Sequence, residues 1–434
     1  MAAPMRKDDG RLAATEARIA ALDLPKGGFS AAARAEALKR LRAMGLPGRR
    51  DEYWKYTDPS ALAANEAPEA AVFATDEAQV FGAVDRLTLV FQDGVFDAAA
   101  SDDLTLAGVE ITRLAETART DIHWAQDLYG VLEARGQTPV ARPFAALNTA
   151  AASDGVLIRV SGKAAKPVHL VYRHGSPLSD AILHHCVKVE PGAELTLLET
   201  GPAAARFNKV LEVDIAEGGK FHHVRAQGRD HERRAITHIF ARIAGGALFK
   251  SFTLTVNGQM TRNECVMEIV GDDAVAHVAG AALGDGATGR FHHDDTIFIT
   301  HDAVGCESRQ VFKKVLKNGA TGVFQGKILV KPGAQKTDGY QISQALLLDE
   351  DSQFLAKPEL EIYADDVQCS HGSTTGAIDE TALFYLRSRG VPREEATALL
   401  ILSFLADAIA EIEDERLADD IVSRLEAWLA RRKG

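Results

Sequence analysis

Three stretches decide how this chain folds: VEPGAELTLLE (189–199), IAEGGKFHHVR (215–225) and IAGGALFKSFT (243–253). Each sets a glycine corner before a strand-like apolar run. They align at Gly192, Gly218 and Gly245, and VGDDAVAHVAG (270–280) continues the series with Asp272 in the same slot. The intervals are 26, 27 and 27 residues. Strand-rich repeats of that length point to stacked β coils. One coil cannot bury its own apolar face; stacking at ~4.8 Å per coil pairs the backbone and joins the faces into one core. A β-sandwich with turns at similar spacing is the competing architecture.

Away from the repeat the texture changes on both sides. Residues 1–150 read as a mostly helical domain. SAAARAEALKRLRAMG (30–45) starts at a candidate N-cap, Ser30, and stops at Gly45. RLTLVFQDGVFD (86–97) reads as a hairpin turning on Asp93 and Gly94. Residues 151–350 form the β core, and 351–434 hold the last strands and a helical domain. DETALFYLRSRG opens at Asp379 and closes at Gly390, with Pro392 suited to the next first turn. That next helix is apolar on nearly every side around Leu399, Leu400, Leu402, Phe404 and Leu405. Such a helix is buried all round or waits for a partner. The last helix carries Leu417, Ile421, Leu425 and Leu429 on one stripe and ends in basic residues. By pattern alone, these helices either cap the stack or offer a docking surface.

Composition narrows the function. The 434 residues carry a net charge of -12 with 46% apolar and 25% charged residues, and no long basic block. Nucleic-acid or membrane-surface binding is not expected of such a surface. The first twenty residues lack the apolar stretch of a signal peptide, and no apolar run reaches the ~18 residues of a membrane span. The four cysteines, Cys186, Cys265, Cys306 and Cys369, form no C-x-x-C. They make no disulfide framework, and a reducing cytoplasm is the expected compartment.

Nucleotide motifs fail on context. GDGATG (284–289) has dinucleotide-fingerprint spacing but precedes a β-like run rather than a helix. GVFQGKILV (322–330) has Ile328 where a P-loop needs Ser or Thr. The pairs His184–His185, His222–His223 and His292–His293 each offer one inward ligand at most, because strand neighbours face opposite ways. Cys186 and Cys265 are 79 residues apart, close to three coils. Cys369 and His371 are i and i+2, so an extended backbone puts both on one side, with Cβ atoms ~6.5 Å apart. That spacing suits a shared cluster site. By spacing alone it better suits a buried cysteine beside a hydrogen-bonded histidine.

AQKTDGYQ (334–341), KPELEIYADDVQCSHGSTTG (357–376) and LFYLRSRGV (383–391), with DEYWKYT (51–57) and GVFQGKILV, resemble the SufB/SufD family of the Suf iron-sulfur cluster assembly system, on its SufD side. The resemblance is densest from Gly322 to Val391. It implies a right-handed parallel β-helix between N- and C-terminal helical domains. It implies a scaffold subunit with no catalysis of its own, pairing with SufB through the β-helix. The ATPase SufC would sit on the C-terminal helices around Leu399, Leu402, Phe404 and Leu405, supplying the nucleotide chemistry absent here. The family's cluster-ligand histidine matches His371, and the accompanying cysteine matches Cys369. The cluster would be transient and shared with SufB, with none on the isolated chain, which could be a homodimer. Two rival readings are a β-helix carbohydrate-active enzyme using Asp365 and Asp366, and a stand-alone homodimeric assembly protein.

Overall fold

A computed structural model describes residues 7–72, 79–117, 119–201, 203–228 and 230–430. The basic stretch 431–434, expected from the sequence to end the last helix, and the first six residues lie outside them. From Val156 to Gly376 successive strands alternate between two sheets, one of ten strands and one of nine. All pairings within this stretch are parallel. The result is a flattened β-solenoid, not a sandwich of antiparallel hairpins.

One corner of six successive coils uses a left-handed residue: Gly192 (φ 67°), Gly218 (65°), Gly246 (60°), Asp273 (56°), Gly305 (70°) and Lys336 (60°). The backbone N–H of each donates to a carbonyl on the next coil: Gly192 to Glu217, Gly218 to Gly245, Gly246 to Asp272, Asp273 to Val304, Gly305 to Gln335 and Lys336 to Asp366. The left-handed slot is therefore Gly246 and Asp273, one residue later than the alignment on Gly245 and Asp272. Lys220 pairs with Leu248, so this coil is 28 residues long rather than 27. Two adjacent glycines hid the extra residue. A Cβ at Gly192, Gly218 or Gly246 would meet nothing within 4 Å. Glycine is used there for its dihedral angle and not for space.

Alternation along each strand makes three apolar layers. Val187, Leu195, Leu211, Phe221, Ile239, Phe249 and Phe312 fill the space between the sheets. The outer face of the nine-stranded sheet, with Ile182, Val210, Ile236 and Phe240, packs on Leu41, Trp54, Leu128, Phe144 and Leu147 of the N-terminal segment. The outer face of the ten-stranded sheet, with Val224, Phe252, Leu254 and Val311, packs on Ile401, Leu405, Ile421, Leu425 and Trp428. Each large side chain buried this way contributes ~1.5–3 kcal/mol. The helices thus lie along the two outer faces instead of capping the stack. The last helix, Glu415–Ala430, buries Leu417, Ile421, Leu425 and then Trp428 ahead of Leu429. A stripe with 3.6 residues per turn drifts that way against steps of four.

The hairpin on Asp93 (φ 51°) and Gly94 (φ 83°) is present, and Leu87–Gln92 joins the ten-stranded sheet beside Val168–Arg173. Val109–Arg113 joins the other sheet. Helix Ala31–Met44 ends at Gly45, but the Ser30 hydroxyl accepts from Arg34 Nε (3.0 Å) and caps nothing. Asp379 does cap, accepting from the backbone N–H of Thr381 and Ala382. GDGATG closes a strand at Asp285 and is followed by strand His292–His301, so no long helix opens there to hold a phosphate. No helix among the described residues is long and apolar enough to cross a membrane.

Candidate functional site

The solenoid ends in two edge strands, Gln353–Ile362 and Gln368–Gly376, each paired on one side only. In the second of these, Cys369 lies in register with Gly339 and His371 with Gln341. Both point to the interior side of the last coil. Cys369 packs on a small apolar cluster of Ile328, Val330, Ala334 and Ala364. Gly339 makes room for it, since a Cβ there would stand 3.2 Å from the sulfur. The thiol is half-buried, and burial pushes its pKa up against the lowering effect of the Gly339 backbone N–H. Its proton is therefore held more firmly than that of a free thiol. His371 is exposed, and no described residue hydrogen-bonds its imidazole. Beside it, Gln341 Nε2 donates to Gln310 Oε1 (3.0 Å), while Gln341 Oε1 is buried without a partner among the described residues.

The other edge strand is held by the N-terminal segment. Tyr53 donates its hydroxyl to Glu359 (2.7 Å), and Lys357 reaches Glu52 (2.6 Å) across the Tyr53 ring. The EYWKYT stretch therefore supports the same open end that carries Cys369 and His371. Tyr363, Phe384 and Tyr385 stand exposed in the chain flanking the last strand. Asp365 and Asp366 are exposed in the loop between the two edge strands.

The four apolar residues expected to meet a partner divide. Leu399 is 46% exposed. Leu402 lines a groove of ≈ 430 Å³ with Ala406, Ile409, Ala418 and Val422, between helices Arg393–Ile409 and Glu415–Ala430. Phe404 sits under the Lys313 ammonium (4.9 Å), and Leu405 is fully buried. The last two hold the helix to the sheet.

The paired histidines alternate faces. His184 points outward to Glu212 (2.8 Å) and His185 inward to Tyr172 (3.0 Å). His292 meets Thr57 (2.9 Å) and His293 meets Lys314 (2.9 Å). Burial lowers His185 to about 3 and His292 to about 4. Cys186 aligns with Glu212, Glu212 with Phe240 and Phe240 with Val266, so Cys265 lies one residue off and on the opposite face. Sequence reasoning missed a cluster, however: donor atoms of His184, Cys186 and Glu212 lie within 4.8 Å of one another. A signal existed. Cys186 to Glu212 is the same 26-residue step as Gly192 to Gly218.

Two family models match the chain. One, "SUF system FeS cluster assembly, SufBD core domain", covers residues 172–404, and the other, "SufBD protein N-terminal region", covers 22–168. Iron-sulfur cluster assembly protein SufD of Escherichia coli K12 is 27% identical over 406 residues, 89% of this chain and 90% of its own. An iron-sulfur cluster assembly SufBD family protein of Synechocystis is 26% identical over 392 residues, 86% of this chain and 85% of its own. The SufD protein of Bacillus subtilis is 28% identical over 294 residues, 65% of each chain. With the core model spanning more than half of the residues, the chain belongs to the SufB/SufD family.

Proposed function

We propose that this protein is a non-catalytic subunit of an iron-sulfur cluster assembly complex, and that it supplies part of a coordination sphere. The observation that carries this reading is the placement of Cys369 and His371 on an edge strand with a free backbone side. An unpaired strand edge is a template for a strand from another chain. SufB would add its own last coil there, bringing the remaining ligands. His371 would bind iron as a neutral imidazole, and Cys369 as a thiolate or a contact at the seam. The cluster is the cargo, held until it is passed on. SufC would seat against the exposed side of the C-terminal helices, at Leu399 and the groove beside Leu402. Four free cysteines fit a reducing cytoplasmic setting, and the lack of basic blocks fits one without nucleic acid.

The test is co-expression with SufB and SufC, capture through a tag on this chain, and anaerobic reconstitution read by visible cluster absorption. Wild type should retain both partners and a cluster, and His371→Ala should retain the partners but lose most of the absorption. Unchanged absorption would strike His371 from the ligand set. The same free edge admits a second copy of this chain, so a homodimer in the absence of SufB is a second reading, checked by the mass of the isolated chain in solution.

A further inference from the structure

His184 and Cys186 project from the outer face of strand Asp180–Val189, and Glu212 is the register partner of Cys186 on the next strand. All three are fully buried. The N-terminal segment closes over them. Glu212 accepts from the backbone N–H of Gly130 (2.5 Å) through Oε2 and of Glu133 (2.8 Å) through Oε1. The Tyr129 ring lies 4.2 Å from that of His184.

The hydrogen bonding fixes where protons sit. Asn148 Nδ2 lies 3.0 Å from the Leu183 carbonyl and 2.9 Å from that of Asn208, so this end of the amide is the donor. Its Oδ1 then faces His184 Nδ1 at 3.1 Å, and Nδ1 must carry a hydrogen. In a neutral ring, Nε2 presents a lone pair to Glu212 Oε2 at 2.8 Å. Two acceptors at that distance need a positive centre between them. The Cys186 sulfur is a third donor atom, 3.9 Å from the same oxygen. A metal-bound imidazole ordinarily donates its other N–H to a fixed oxygen, which is the role Asn148 plays.

We propose that His184, Cys186 and Glu212 bind one divalent transition-metal ion of the zinc class, which ties two neighbouring solenoid strands together beneath the N-terminal segment. Thiolate and carboxylate together neutralise a dication, so the buried site carries no net charge. Binding releases two protons, one from the thiol and one shared by His184 and Glu212. Zinc–donor distances of ~2.0–2.3 Å set tetrahedral donors ~3.3–3.8 Å apart; the Cys186 sulfur stands 3.9 Å from Glu212 Oε2, and the 2.8 Å between that oxygen and His184 Nε2 opens by about half an ångström when the shared proton leaves. Each Glu212 oxygen keeps its backbone N–H and offers a second lone pair, and the carboxylate can supply two of four donors. The ion enters before the N-terminal segment closes, and it is retained afterwards. The site needs no partner subunit and stands apart from the open edge.

The experiment is expression of the full chain alone in cobalt-supplemented minimal medium, with metal analysis and near-ultraviolet absorption after dialysis against EDTA. One ion per chain and a thiolate-to-cobalt charge-transfer band are expected. Cys186→Ser should remove the band, and Cys369→Ser should leave it intact. Should Cys186→Ser fail to fold, Glu212→Gln provides the second variant and should lower retained metal at least tenfold. No stoichiometric metal in wild type, or a band lost in Cys369→Ser but kept in Cys186→Ser, overturns the assignment.

Discussion

Gln341 and His371 are register partners on the last two strands of the ten-stranded sheet, and the side-chain oxygen of Gln341 has no donor among the described residues. A buried unpaired carbonyl costs ~1–3 kcal/mol. The His371 ring, one strand away at ~4.8 Å, can donate one N–H to that oxygen and turn its other nitrogen toward a metal. Orienting partners of this kind change metal affinity ~10–100-fold. Gln341→Leu is expected to reduce cluster retention about tenfold in the reconstituted complex while partner capture is unchanged. Equal retention would show that the two residues act independently.

Stability should fall in acid. Burial lowers His301 to about 4, with its Nε2 bonded to Ser308 (2.8 Å), and lowers His185 to about 3. The unfolded chain titrates these groups near 6.5. Their contribution is complete above that value and is lost as pH falls toward 4, because the unfolded chain then binds more protons. Each such histidine accounts for ~1.4 kcal/mol per pH unit in that window. Urea midpoints measured from pH 7 to 4.5 should drop steadily, and His301→Gln should flatten the slope by about one proton. An unchanged slope would mean that His301 is already charged in the folded chain.

Leu399 and Leu405 separate partner binding from intramolecular docking. Leu405 is fully buried against the sheet, so Leu405→Ala is expected to cost ~2–5 kcal/mol. Leu399→Asp touches an exposed site and should change stability by less than ~0.5 kcal/mol. It should nonetheless weaken SufC capture. Thermal melting of the isolated chain and pull-down of SufC read the two effects separately, and full capture by Leu399→Asp would move the partner surface elsewhere.

Inside the solenoid, Glu199 receives Lys209 Nζ (2.5 Å), with Arg225 at 3.9 Å, and all three are buried. Burial pulls Lys209 down to about 8, opposed by Glu199. Glu199→Leu leaves two cations without their carboxylate and should cost ~3–5 kcal/mol. Lys209→Met leaves Arg225 to pair with Glu199 and should cost less. A reversed order in denaturant unfolding would mean that Arg225 does not stabilise the carboxylate.

The solenoid was legible in the sequence because its periodicity is local. Each coil stacks on the next, so a corner residue recurs 26 to 28 positions later as far as Asp273 and 31 or 32 positions later beyond it, and a left-handed corner asks for glycine. The hairpin at Asp93–Gly94 and the Asp379 cap were legible for the same reason, since their hydrogen bonds close within a few residues. Cys369 and His371 were legible as a same-face pair from strand alternation. Only the tertiary structure decided the rest. The slip from Gly245 to Gly246 depends on which residue pairs across coils, and neighbouring glycines look alike in sequence. The helices cover the faces of the stack because apolar rows such as Val224, Phe252 and Val311 run across coils, each coil giving one or two residues that say little alone. Glu212 joins His184 and Cys186 through strand register, and Gly130, Glu133 and Asn148 close over them from far along the chain. Periodicity is written residue by residue, whereas a site assembled across strands exists only once their register is set.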